Sequence, residues 1–492
     1  MTATVVVERH PTEPTGARRR RRAPWLGLVA CAYAAVQLVL VVPHTGHALG
    51  WDETVYVSQL DPRNPAAYFS APRSRGISFL AAPVVAATGS VLALRLVLVV
   101  LTTAALYTAF RTWRPLLGDA TTALAALLFA GLWSAQLAGS EAMPNLWVAF
   151  GAVAVVGWFL RASDGPRARR WLAAVLLATA LVRLPDAGWL ALPLLITALC
   201  FRARRRALPF LLGGLALGAA QWVAEAYTRF GGITGRLHRS SATEGGTSFH
   251  VNTVNAWHSL NGPQLCRPCH VPLTHPELTL WWLALPLLAA LALLVAVHDR
   301  RTRPLTPTIL PLLCALALGF PYLFLLTYSA PRFLLPAYAL LSLPVAALAT
   351  RVVSAARRPV PVITAITLAV CLQLAGQAVL LPSVTAQVHA VSRKYQVTAH
   401  ALHSLGLRPP CLIAGGHALP VAYDAGCASA ELHGNNRSIT RRALLDRAAR
   451  EPFAVLVPGG HRRPRYARDW IPHQMPDTHW TAYTPRPARS TS

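Results

Sequence analysis

The chain has 492 residues, 54% of them hydrophobic and only 13% charged, with a formal net charge of +27 and a mean hydropathy of +0.41. A soluble domain carries about a quarter of its residues as charges, so this composition excludes one. The basic excess does not make a nucleic-acid binder either. Lys394 is the only lysine, and no soluble segment interleaves basic residues with aromatics as such a surface requires.

The chain opens with a basic tail, residues 1–24, whose "ARRRRRAPWLGLVACAYAAVQLVLVVP" runs into an apolar stretch too long for the core of a cleaved signal. An uncleaved signal anchor is expected. Apolar runs long enough to cross a bilayer then recur at 25–43, 88–110, 119–139, 143–161, 171–185, 187–201, 207–226, 278–297, 307–327, 333–350 and 360–382. The short pair at 171–201, split by "RLPDAG", also reads as one broken or re-entrant unit. The expected fold is an all-α polytopic membrane protein with about eleven spans.

Sidedness follows from arginine. Arg18 to Arg22, "RTWRPLLGD", "RASDGPRARR", "FRARRR", "HDRRTRP" and "RVVSAARRP" occupy every second connection. Short cytoplasmic connections collect Lys and Arg, which predicts a cytoplasmic N-terminus, an extracytoplasmic C-terminus and a place in the plasma (inner) membrane. The first outer loop is then 44–87 and a large outer loop is 227–277.

After the membrane portion, 25–382, the character changes. In 383–484, "CLIAGGHALPVAYDAG" and "FAVLVPGG" read as short buried strands around a helix "SITRRALLDRAARE" capped by Ser438. This predicts a small extracytoplasmic α/β module, followed by a disordered tail at 485–492. Four cysteines, Cys266, Cys269, Cys411 and Cys427, fall on the oxidising side. There disulfides persist, and the expected bridges are Cys411–Cys427 and Cys266–Cys269. "CRPCH", Cys266 to His270, also matches the covalent haem pattern, but no cytochrome architecture surrounds it. The arginines of the outer tail, Arg441, Arg442, Arg462, Arg463, Arg465 and Arg468, read as contact with anionic lipid or envelope polymer or as a solvated basic surface.

The chain has just 19 acidic residues, so their placement is informative. Asp52, Glu53, Glu141, Asp186 and Glu225 fall at or near the outer ends of helices, as do Arg73, Arg75, Arg95, Arg183 and Arg332. Charge inside a membrane marks function unless it is paired; for Arg183, pairing with Asp186 is the simpler account. Carboxylates and guanidiniums at one outer cavity suit transfer of a group from a lipid phosphate to a hydroxyl. The cations hold the phosphate charge and a carboxylate takes the hydroxyl proton.

These residues resemble the GT-C glycosyltransferases, which include protein O-mannosyltransferases, lipid A aminoarabinose transferases and the mannosyltransferases of the endoplasmic reticulum. "WDETVY" carries the acidic pair of their first outer loop at Asp52 and Glu53. "VLALRLVLVV" is similar to their early-helix arginine motif at Arg95, and "SEAMPNLWVAF" to their Pro-Asn/Asp turn, with Glu141 and Asn145. "SAPRFLLPAYALL" looks like their later arginine-aromatic segment, with Arg332, Phe333, Leu335 and Pro336.

The resemblance covers roughly 25–382 and implies inverting transfer from a polyprenyl-phosphate sugar. Asp52 would be the base and Glu53 a supporting acid. Arg73, Arg75, Arg95 and Arg332 would hold the donor phosphate, and Glu141 and Asn145 the substrate. The acceptor would be a hydroxyl of an envelope glycan, lipid or protein. Some members bind a divalent metal near the first-loop acids, which leaves a metal open here. His238, His250, His258, His270 and His275 of the large loop match no family motif, and the small module departs from the large domain of the oligosaccharyltransferase branch. The competing classes are a transporter or lipid flippase, and a non-catalytic scaffold. The chain shows neither an internal repeat nor the midplane charges that transporters display.

Overall fold

The computed structural model describes residues 24–246, 248–261, 265, 272–299, 306–434 and 436–486. The basic tail at 1–23, Cys266, Cys269, His270 and the last six residues lie outside these. The bridge, the haem pattern and the terminal disorder expected of them therefore lie outside as well.

The eleven apolar runs become helices. They begin with Trp25–Val36, which continues through a wider-pitched turn and a tight turn to His44, and with Val91–Arg111. Asp119–Ala130 and Trp133–Ala138 share the third run, broken at Gly131–Leu132, and Pro144–Leu160, Pro166–Val182, Leu184–Cys200 and Leu208–Phe230 follow. Leu280–His298, Thr306–Phe324, Leu335–Ala355 and Pro359–Ser404 complete the bundle. Among the described residues, seven helical segments are long and apolar enough to cross a membrane by length and composition. The remaining apolar helices have 10–17 residues, and several of them lie inside the bundle, where neighbours cover their ends.

Pro144 opens its helix, where a missing N–H costs nothing. That helix is buried on nearly every side and forms the core with 119–130, 306–324 and 335–355. The expected short pair is two helices, ended and restarted at Arg183, whose backbone is extended (φ −157°, ψ 96°).

The arginine-rich connections among the described residues gather at one end. Arg204 donates to the Leu160 carbonyl at 2.5 Å, Arg161 to that of Thr112 at 3.5 Å, and Thr121 meets Thr350 at 3.2 Å. Asn145, Arg183, Glu225 and Arg332 sit at the other ends of the same helices or just beyond them.

Two segments depart from the sequence reading. The outer loop holds a further apolar helix, Gly76–Ala87, ahead of the run expected at 88–110. Gly76 lets it touch the end of helix 166–182, since a Cβ there would stand 2.6 Å from the Leu181 carbonyl oxygen. The last span does not stop at 382. Its helix runs 46 residues to Ser404, about 70 Å at 1.5 Å per residue, which exceeds a bilayer and carries the module on its far half.

The module is a five-stranded sheet in the order β2-β1-β3-β5-β4. Its strands are β1 (Leu412–Gly415), β2 (Ala428–Ala430), β3 (Phe453–Val457), β4 (Ile471–Gln474) and β5 (Thr481–Thr484). β1 is parallel to β2 and β3, and β5 is antiparallel to β3 and β4. Only the first four residues after Cys411 are strand. "ALPVAYDA", expected to extend it, is the helix Ala418–Ala425, because its apolar residues recur at helical spacing and bury one face. The next helix, Arg441–Ala448, is capped by the Thr440 side chain and not by Ser438, whose hydroxyl instead accepts from the Glu431 N–H. Cys411 and Cys427 are disulfide-bonded ahead of β1 and β2.

Candidate active site

Asp52 and Glu53 open a seven-residue helix, Trp51–Val57. The Glu53 carboxylate accepts from the Gly50 N–H at 2.9 Å and closes the first turn on itself. Two acids in the first turn also suit the positive end of the helix dipole. Successive helical residues point about 100° apart, and the two acids part company accordingly.

Glu53 points into the protein. Its oxygens take the Arg95 guanidinium in a fork at 2.5 and 2.8 Å and the Ala142 N–H at 2.8 Å, while Arg95 also reaches the Ser140 carbonyl at 2.7 Å. The burial of both partners makes this a clamp between the first outer loop, helix 91–111 and the turn before Pro144. Glu53 and Arg95 thus satisfy each other, in the wall of a cavity.

Asp52 points outward, between Arg73 at 2.7 Å and Arg332 at 2.9 Å. Burial alone would raise its pKa; the two guanidiniums outweigh burial and hold the carboxyl below its ordinary value. It is ionised, as a proton acceptor must be.

Two cavities share Asp52, Met143, Leu265 and Arg332 in their walls. The smaller, about 120 Å³, is polar: Arg73, Arg183, Arg332, Asn145, Tyr56 and Glu244 face it. Asn145 is buried, and neither its Oδ1 nor its Nδ2 has a hydrogen-bond partner. Because this amide also lines the cavity, its donor and acceptor are available to a ligand there. The larger cavity, about 490 Å³, is mostly apolar and runs from Ala48–Glu53 to Val388, Val391, Tyr395 and His417, with Arg95 and Glu141 also in its wall.

Of the expected site residues, Asp52, Arg73, Arg332 and Asn145 meet at the smaller cavity, and Glu141 reaches the larger one. Arg75 does not join them. It forms ion pairs and hydrogen bonds with Glu225 at 2.6 Å and Gln59 at 2.7 Å and lies over the Phe69 ring. Its place as a phosphate ligand is not retained, because its charge is already spent inside that cluster. Arg183 pairs with Asp186 at 3.1 Å, as expected, yet it also lines the smaller cavity. Glu244 and Tyr328, hydrogen-bonded to each other, also line the smaller cavity and are not among the expected site residues; folding of the large outer loop brings Glu244 in, and Tyr328 comes from the turn that carries Arg332. Among the described residues, no three His, Cys, Asp or Glu side chains gather as a metal ligand set.

The all-α polytopic bundle with its C-terminal α/β module is GT-C-like in architecture. Solved structures of the same shape include ArnT from Cupriavidus metallidurans. Bound to undecaprenyl phosphate, it matches with a TM-score of 0.64 at 11% identity, over 93% of this chain and 97% of that one. In its apo state the TM-score is 0.63 at 12% identity, over 94% and 98%. The Archaeoglobus fulgidus oligosaccharyltransferase, tethered with an acceptor peptide containing the NVT sequon, matches at 0.54 and 12%, over 88% of this chain and 69% of that one. At such identities the likeness is one of fold. No family model matches the chain, and no curated protein matches it in sequence.

Proposed function

We propose that this chain is a membrane glycosyltransferase that moves a sugar from a polyprenyl-phosphate donor to a hydroxyl acceptor at the extracytoplasmic face, with inversion and with Asp52 as general base. The observation that carries the reading is the position of Asp52: an ionised carboxylate in the wall common to a guanidinium-lined cavity and an apolar one. The fold neighbour bound to undecaprenyl phosphate supports the lipid class of the donor.

In this reading the smaller cavity takes the donor phosphate and its sugar. Arg73, Arg183 and Arg332 balance the phosphate charge, which grows as the glycosidic carbon–oxygen bond breaks. Asn145 hydrogen-bonds the same group or the sugar. The acceptor enters from the larger cavity, so its hydroxyl attacks the anomeric carbon from the face opposite the phosphate. The new bond forms as the old one breaks, Asp52 takes the hydroxyl proton, and polyprenyl phosphate leaves.

Two arginines on Asp52 make it a weak base at rest. A phosphate that draws either guanidinium away strengthens the base at the moment the donor is in place. The arginine-rich connections at the far end of the bundle support an inner-membrane orientation with that end in the cytoplasm.

The test compares wild type with Asp52→Asn in membranes supplied with a panel of radiolabelled polyprenyl-phosphate sugars. Incorporation of one label by wild type, lost in an equally expressed mutant, supports the reading and identifies the donor. A mutant that transfers as fast as wild type removes Asp52 from the chemistry. Failure of wild type to consume any donor removes the transferase reading.

A further inference from the structure

One wall of the larger cavity belongs to the C-terminal module. His417 lines it, in the turn that follows β1. The chain leaves β1 towards β2 on one side, then crosses over to form β3 on the other. The strand order thus reverses at β1, and open α/β sheets bind ligands outside the carboxyl ends of the strands at such a reversal. That end of β1 reads Gly415-Gly416-His417. Gly415 has a φ of +95° and lies so close to β3 that a Cβ would stand 2.3 Å from the Leu456 carbonyl oxygen.

His417 itself takes a left-handed conformation, φ 59° and ψ 16°. A side chain costs about 1 kcal/mol or more there, so the surroundings must hold it. They do so with aromatic contacts. The imidazole stacks on Trp480 at 4.5 Å and 11°, lies 5.9 Å from Tyr395, and meets the Trp51 ring edge-on at 6.3 Å. Trp51 immediately precedes Asp52. Burial and the Lys394 charge keep the ring neutral. Its Nδ1 is buried without a partner. A bare lone pair costs less than a bare N–H, which places the proton on Nε2 as a free donor.

We propose that the module supplies the acceptor side of the site, with His417 as an acceptor-binding residue that donates its Nε2–H to an oxygen beside the hydroxyl activated by Asp52. The inference rests on the transferase reading above. The Trp51 and Tyr395 side chains in the cavity wall, beside one neutral donor and the Gln387 amide, suit a polyhydroxylated ring, which has an apolar C–H face and a rim of hydroxyls.

The test uses full-length wild type, His417→Ala and His417→Gln in lipid nanodiscs. Binding of radiolabelled undecaprenyl phosphate reports the donor side and the fold. Initial transfer rates against a dilution series of the membrane extract that wild type glycosylates report the acceptor side. With His417→Ala, the extract concentration for half-maximal rate should rise about tenfold, the worth of one hydrogen bond. His417→Gln should recover part of this, and undecaprenyl phosphate affinity should stay within about twofold for both. An active wild type with unchanged half-saturation in His417→Ala overturns the inference alone. Loss of undecaprenyl phosphate binding in both variants overturns it by moving His417 to the donor side or the fold. A wild type that transfers nothing overturns the transferase reading and this inference with it.

Discussion

Two arginine–carboxylate clusters lie near the same end of the bundle, one around Asp52 and one around Glu225. They use the same side chains. Asp52 sits between Arg73 and Arg332, whereas Glu225 pairs with Arg75, Arg229 and Arg236. Exposure of the carboxylate separates them: the Asp52 side chain is 29% accessible, against 8% for Glu225, whose partner Arg236 is fully buried although Arg229 at the rim is 42% accessible. Arg236 spends its remaining donors on the carbonyls of Ala71, Trp222 and Arg73, and so fixes the loop that delivers Arg73 to the cavity. Ion pairing alone therefore does not identify a site. A carboxylate can act where a ligand can reach it, and one sealed among its arginines serves as the frame.

Substitution breaks this comparison most sharply at Asp52. Asp52→Asn keeps the shape but cannot take a proton, and its amide nitrogen cannot accept from a guanidinium as the second carboxylate oxygen does, so transfer should fall by about 10³-fold, within the range for loss of a general base. The melting temperature should fall less than in the Glu225 variant, because Arg73 and Arg332 keep some access to water through the cavity. Glu225→Gln should do the reverse. It leaves buried Arg236 uncompensated at a cost of about 3 kcal/mol, read as a drop in the melting temperature. The fraction that remains folded should still transfer the label. Equal losses of activity in the two variants would erase the distinction between site and frame.

The same contrast explains how much was legible beforehand. The spans and the α/β module follow from apolar runs and their boundaries, which are local properties of the chain. The helix 76–87 escaped because its short apolar run merges with the next one across "TGS". Asp52 and Glu53 were visible as a pair, but their different tasks depend on the register of one short helix. Arg75 and Arg332 look alike in sequence, yet Glu225, 150 positions from Arg75, removes the former from the cavity. Glu244 and His417 reach the site only through folding of the large loop and docking of the module. No spacing in the chain encodes that. The two glycines before His417 were the one available signal, since they mark a backbone that closes tightly on something.

Within the module the comparison can be sharpened by pH. Burial pushes the Asp424 carboxyl up from 3.8 to about 7, and its Oδ2 has no partner. Between those values the folded state binds more protons than the unfolded one, so stability falls as pH rises through the window and levels off above about 7. Asp424→Asn should thus raise the melting temperature of the module at pH 8 and change it little at pH 4. An equal gain at both values would mean that the effect is not titration.

The smallest effect concerns how the module is held. Tyr423 donates to Asp61 at 2.7 Å, which ties the module to the first outer loop, and Asp61 also takes the Asn64 side chain and the Arg63 N–H. Tyr423→Phe removes one hydrogen bond to a charged acceptor, worth about 1.5 to 3 kcal/mol at most, and Asp61 keeps its other partners. Limited proteolysis near 405–410, at the junction between the long helix and β1, should quicken by no more than the corresponding factor. Because the tie fixes the module relative to the loop that begins with Trp51 and Asp52, transfer should weaken in its dependence on acceptor and not on donor. A weakening on the donor side would show that the loop, and not the module, is what Tyr423 restrains.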